Sequence, residues 1–270
     1  MKDLTASINL AEKLAQVSGE IICQYFRKPN LQTETKPGEV SNMATVVDKE
    51  AENAMVQVIL KEAPEDGIIR EEGDNIPSKN GRYWVLDPID GTSSFVKGLP
   101  IFGTLIGLVE LESNTPLLGM VNQPILQESW LGVQGKTTLF NNKPITNSYG
   151  KLSNSKLEEA CLTSTTPLMF RTEEEKAIAQ KCQEVCQRTA FGGDCYNYLS
   201  LAASWSSIPM VILESDMQYY DFCALIPIIK GSGAVITDWY GNKLTHKSTQ
   251  VLAASNPWLW EQTLEIIARM

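Results

Sequence analysis

Residues 84–92, Trp84-Val85-Leu86-Asp87-Pro88-Ile89-Asp90-Gly91-Thr92, end an apolar run in two carboxylates with a proline between them. Pro88 has no N–H and restricts the backbone, so the spacing predicts a turn after Asp87. Such a turn brings Asp87 and Asp90 to one side and aims the Ile89 carbonyl at the same place. Three converging oxygens suit a hard cation such as Mg²⁺, which takes few carboxylates and leaves positions for substrate phosphate. Gly91 lets the backbone come close to a ligand. The amides of Gly91 and Thr92 open a short predicted helix, Thr92 to Lys97, whose start favours an anion. A divalent-cation cluster facing an anion cradle is what phosphoryl transfer requires.

Three further segments place carboxylates beside apolar runs: Asp48, three residues beyond Thr45; Glu71-Glu72, after Gly67-Ile68-Ile69-Arg70; and Asp221, ahead of the apolar helix Phe222 to Ile229. Singly, Asp90 and Asp221 fit helix N-caps and Glu71-Glu72 a solvated loop. Together with the spacing in 84–92 they form one acidic constellation. Other chemistries lack their parts. The single histidine, His246, sits in a turn-like run, and the six cysteines contain no CxxC pair. Histidine triads and His/Cys metal sites are therefore excluded. The thiols read as reduced, core-filling groups. Gly98 to Gly103 lacks the Lys-Ser/Thr of a P-loop, and Gly231-Ser232-Gly233 lacks a third dinucleotide glycine; both read as ordinary turns. Catalysis here must run on carboxylates and hydroxyls.

The elements that position these groups follow from periodicity. Helical spacing covers 4–26, with Pro29 closing the segment, and again about 45–62. The polar stretch 30–44, with its Lys36-Pro37-Gly38 turn signal, reads as a mobile loop. Strands are expected at 68–69, 83–86, 101–110, 116–122 and 129–134, with a hairpin turn at Asn141-Asn142-Lys143. Beyond residue 150 strands and helices alternate: strands at 159–163, 210–214, 234–238 and 251–254, helices at 172–187, 195–206, 222–229 and 257–269. Mixed elements of this kind make an α/β (α+β) layered architecture. No linker or repeat divides the chain, so one domain over 1–270 is expected, its two halves meeting near residue 150. With 23 basic against 32 acidic residues the net charge is −9, which disfavours nucleic acid and anionic lipid as partners. Neither a signal peptide nor a membrane span is legible, and a cytoplasmic location is expected.

The 84–92 segment resembles the signature of the inositol monophosphatase superfamily of Mg²⁺-dependent, lithium-sensitive phosphatases. Glu71-Glu72, Thr45-Val46-Val47-Asp48, Tyr220-Asp221 and Gly231-Ser232-Gly233 fall in that family's order, and the resemblance covers nearly the whole chain. It implies a layered α-β-α-β-α sandwich, a homodimer, and two or three Mg²⁺ ions, with Mn²⁺ as a substitute. Glu71 and Asp87, with the Ile89 carbonyl, would hold a first metal; Asp87, Asp90 and Asp221 would hold a second. Thr92, oriented by Asp48, resembles the pair that positions and activates the attacking water. Gly91, Thr92 and Ser93 would bind the phosphate, with Asp221 also on the substrate side.

Two departures stand out. Arg70 replaces a usually small residue, and would pair with Glu72 or a phosphate, or crowd the first metal. Ser41-Asn42-Met43-Ala44-Thr45 lacks the usual proline, and the loop from Lys36 to Asp48 is longer, which questions the lysine's role near a third metal. Within the superfamily, residues 191–196, 220–222 and 236–239 and Pro100-Ile101-Phe102-Gly103-Thr104-Leu105 resemble the histidinol-phosphatase branch. Asp194 and Glu214 then read as acids for a cationic leaving alcohol, because unmatched buried acids are costly. The small phosphomonoester expected is histidinol phosphate, of histidine biosynthesis. Inositol or other sugar phosphates, nucleotide phosphates and a non-catalytic binding role on the same fold are the alternatives.

Overall fold

A computed structural model describes residues 4–29, 33–35, 43–151 and 154–270. The Lys36-Pro37-Gly38 turn and most of the lengthened loop lie outside the described residues. Within the expected loop, β1 (Thr33–Thr35) and β2 (Met43–Thr45) pair antiparallel.

Helices α1 (Thr5–Tyr25) and α2 (Val46–Glu62) pack together on one face of a seven-stranded sheet. Leu10, Leu14 and Ile22 recur on one stripe of α1 and are buried, each contributing roughly 1.5–3 kcal/mol. The sheet runs in sequence order: β3 (Gly67–Arg70), β4 (Arg82–Asp90), β5 (Gly103–Glu110), β6 (Thr115–Gln123), β7 (Glu128–Val133), β8 (Leu139–Phe140) and β9 (Lys143–Pro144). A short α3 (Thr92–Val96) follows β4. Asn141 and Asn142 make the β8–β9 hairpin turn, both with positive φ.

The second half holds β10 (Cys161–Ser164), α4 (Glu173–Val185), β11 (Arg188–Phe191), α5 (Asp194–Ala203), β12 (Met210–Glu214), α6 (Tyr219–Phe222), α7 (Leu225–Ser232), β13 (Val235–Thr237), β14 (Val251–Ala254) and α8 (Pro257–Ala268). Its five-stranded sheet has the order β11-β10-β12-β14-β13. Helices α5, α6 and α7 lie between the two sheets, while α8 covers the outer face with α4 beside it. The layers are α-β-α-β-α.

Three local outcomes differ from the periodicity. Strand β11 is absent from the sequence reading because its four residues are all exposed and carry no apolar alternation. The helix expected at 222–229 is two, α6 and α7, and Pro227 falls in the first turn of α7, where its missing N–H breaks no bond. Gly231 and Ser232 form the last turn of α7, and Gly233 ends it with φ 91°. Of the six cysteines, all free, Cys182, Cys186, Cys195 and Cys223 are buried, whereas Cys23 is exposed.

One row of glycines seats the middle layer. Gly107, Gly119 and Gly132 are cross-strand neighbours on β5, β6 and β7. A Cβ on Gly119 would come within 1.9 Å of Ala224 O, and one on Gly132 within 2.4 Å of Ile228 N. The backbone of 223–228 therefore rests directly on the sheet, and Asp221 lies just ahead of it.

Candidate metal and phosphate site

Asp87 does not end its strand. β4 continues through Pro88 to Asp90 with a register shift: Asp87 opposes Leu105, and Asp90 opposes Gly103. Three steps on β4 thus match two on β5, which is a bulge with one extra residue. In a regular strand Asp87 and Asp90 would face opposite sides, because side chains alternate. The extra residue puts both on one side, which is the result expected of a turn, reached by another device. Pro88 is tolerated because β3 pairs with β4 only as far as Leu86, leaving no ladder partner for an N–H there.

Oxygens of Asp87, Asp90 and Asp221 lie within 4.8 Å of one another. Burial first, then the charges of Glu71, Asp90 and Asp221, push the Asp87 carboxyl well above the usual range. Asp90 is raised likewise by burial, Asp194 and Asp221, although Cys195 N at the start of α5 donates to its Oδ2 at 2.5 Å. Asp221 stands in the first turn of α6 rather than ahead of a helix, and its Oδ2 accepts from Gln218 N at 2.7 Å.

The Thr45-to-Asp48 spacing is a capping box for α2. Asp48 Oδ2 accepts from Thr45 N at 2.8 Å, and Thr45 Oγ1 accepts from Val47 N at 3.1 Å. That leaves Asp48 Oδ1 facing Thr92 Oγ1 at 3.2 Å, while Thr92 Oγ1 also lies 2.9 Å from Ile89 O. Burial raises Asp48 to about 7 against the bonds from Thr45, and Glu71 and Glu72 push the same way as burial. Gly91, with φ 93°, caps α3, and a Cβ there would meet Asp194 Oδ2 at 3.0 Å.

Asp194 opens α5 after Gly192 and Gly193, all three with positive φ. It accepts from Ser94 Oγ at 3.4 Å; burial and then Glu214 raise it to about 6, against Ser94 and Lys97. Glu214 is buried and held by three donors: Thr165 N at 3.0 Å, Thr165 Oγ1 at 2.6 Å and Tyr198 Oη at 2.6 Å. Burial raises its pKa, while those three donors oppose the rise.

Every site residue expected from the sequence except Asp48 lines one cavity of about 460 Å³: Glu71, Asp87, Ile89, Asp90, Gly91, Thr92, Ser93, Asp194, Glu214 and Asp221. Asp48 stands behind Thr92. Sequence reasoning missed Lys97, Thr165, Tyr198 and Asp216, which also line it. Tyr198 had a faint signal, four residues from Asp194 and so one helical turn away. The Arg70 guanidinium turns to Glu52 on α2, and Arg70 does not line the cavity.

The donor set fits a divalent cation. Asp87 Oδ1 is buried with no hydrogen-bond partner among the described residues. Clustered carboxylates raised by burial and then by mutual repulsion need a counter-charge, and hard oxygen donors select Mg²⁺ or Mn²⁺ over softer metals. No helix among the described residues is long and apolar enough to cross a membrane.

The model of the inositol monophosphatase family matches residues 3–269. The chain is 38% identical over 262 residues to the bifunctional phosphatase IMPL2, chloroplastic, of Arabidopsis thaliana, covering 93% of this chain and 72% of that protein. It is 29% identical to a histidinol-phosphatase of Chlorobaculum parvum, covering 94% and 93%. Among solved structures, an inositol monophosphatase from Zymomonas mobilis superposes with a TM-score of 0.84 at 37% identity, covering 99% of this chain and 100% of that one. Enzymes of this family are phosphatases that use divalent metal ions, generally Mg²⁺. With a match over nearly its full length and the acidic cluster in place, the chain belongs to the inositol monophosphatase family.

Proposed function

We propose that this chain hydrolyses the phosphomonoester of a cationic amino alcohol, histidinol phosphate in particular. The observation that carries the reading is the charge of the cavity wall. Among the described residues it presents seven carboxylates, Glu71, Asp87, Asp90, Asp194, Glu214, Asp216 and Asp221, against one lysine, Lys97. Metals would account for the first cluster. Asp194 and Glu214 lie beyond it, and an ammonium or imidazolium group would match them where neutral inositol hydroxyls would not. Among relatives, the Chlorobaculum protein supports this reading by its name, histidinol-phosphatase.

Glu71, Asp87, Asp90, Asp221 and the Ile89 carbonyl would hold the cations. When bound, these would neutralise charge on the transferring phosphoryl group and acidify water at neutral pH. Asp48 holds Thr92 by its hydroxyl, so Thr92 Oγ would orient the attacking water, and Asp48 would take up the proton passed through that hydroxyl. The Gly91 and Thr92 amides, at the start of α3, would receive phosphate oxygens. No covalent nucleophile is needed. Asp194, less tied than Glu214, would meet the substrate cation, with Glu214 adding charge behind it.

A second reading, inositol phosphate as substrate, is favoured by the similarity to the Zymomonas enzyme. Phosphate release from histidinol phosphate and inositol phosphate, side by side with Mg²⁺ and an EDTA blank, separates the two. A preference of about a hundredfold or more for histidinol phosphate, lost in Asp194→Asn through KM, is expected. Comparable rates on both substrates would overturn the amino-alcohol assignment.

A further inference from the structure

Among the described residues, β3 ends at Arg70, just before Glu71, and sheet pairing resumes at Ile76, which bridges Ile68. Something other than sheet pairing must set the conformation of the loop between them. The Arg70 guanidinium lies inside this loop: Nε donates to Asp74 O at 2.7 Å, and the Arg70 amide donates to Asn75 Oδ1 at 3.1 Å. Gly73 makes room for it, because a Cβ there would come within 2.5 Å of Arg70 Cζ. Nη1 stands 3.7 Å from Glu52 Oε1, on α2 one turn beyond Asp48. The Glu52 side chain is 2% exposed. Its Oε2 accepts from Glu72 N at 2.8 Å.

A buried carboxylate is costly unless paired and hydrogen-bonded. Here its partners are the cation of Arg70 and the backbone amide of Glu72. We propose that Glu52 and Arg70 form a clasp that fastens the Glu71–Glu72 loop to α2 and so presents Glu71 to Asp87 for metal binding. Both are positioning residues, since neither lines the cavity. The clasp rests on the metal-dependent reading above. It also gives Arg70 a role, in place of the crowding its size suggested.

The test is Mn²⁺ binding by the whole chain, read from the electron paramagnetic resonance of free Mn²⁺, with no turnover involved. Arg70→Ala and Glu52→Gln each weaken binding by about tenfold, as loss of an outer-sphere partner does. Glu52→Gln keeps an acceptor for the Glu72 amide, so it serves if Arg70→Ala does not fold. The double variant is no weaker than either single, because the two act as one unit. Wild-type saturation with unchanged affinity in folded variants overturns the clasp alone, as do additive losses in the double variant. Wild-type protein that binds no Mn²⁺ overturns the metal reading, and the clasp with it.

Discussion

Alanine in the glycine row measures how closely the middle layer is seated. An alanine replacing glycine in a strand ordinarily gains about 0.5–1 kcal/mol, because the unfolded chain loses freedom. At Gly119 the new Cβ would lie 1.9 Å from Ala224 O, a backbone atom, so sheet or helix must retreat by more than an ångström. At Gly132 the contact is 2.4 Å to Ile228 N, also backbone; at Gly107 it is 2.9 Å to Cys223 Sγ, a side-chain atom that can turn. Overpacking costs of about 1–3 kcal/mol apply. The expected losses are about 3 kcal/mol for Gly119→Ala, about 2 for Gly132→Ala and about 1 or less for Gly107→Ala. Urea unfolding followed by circular dichroism gives the order. Ala224 follows Asp221 by three residues, so Gly119→Ala also weakens Mn²⁺ binding in whatever protein remains folded. An inverted order, or a Gly119→Ala loss under about 0.5 kcal/mol, refutes the close seating, since ordinary surface changes fall in that range.

Two further outcomes concern charge. Asp48, at about 7, and Asp87 and Asp90 are raised above their unfolded values, chiefly by burial. A raised carboxylate contributes stability that is fully present below its unfolded pKa and lost as pH rises through the folded one. Metal-free protein in EDTA therefore melts at progressively lower temperature from about pH 5 to pH 8, and Mg²⁺ removes most of that decline. A flat EDTA profile by scanning calorimetry would count against the repulsive cluster. Asp90→Asn keeps an acceptor for Cys195 N and removes one charge of the cluster. It abolishes turnover while leaving metal-free protein at least as stable at pH 7.5; retained activity would remove Asp90 from the cation site.

Where local pattern sets structure, the sequence was legible. The α1 stripe, the second helix at about 45–62 and the apolar strands Met210–Glu214 and Val251–Ala254 all follow from side-chain pattern over a few residues. The order of acids along the chain, with Asp87-Pro88-Ile89-Asp90-Gly91-Thr92 at its centre, pointed to one cation and phosphate site before any fold was known. Tertiary structure decided how these acids meet. The bulge that turns Asp87 and Asp90 to one side exists only against β5, since register is a property of two strands. Cys195 N reaches Asp90 across 105 positions of sequence, and Glu52 reaches the loop of Glu71 across about 20. Exposed β11 is a strand only because β10 pairs with it. The glycines at 107, 119 and 132 matter because two registers align them under the backbone of 223–228, where α6 passes into α7. Spacing along a chain records what a segment prefers by itself; which distant group fills its remaining hydrogen bonds and contacts is settled only when the layers pack.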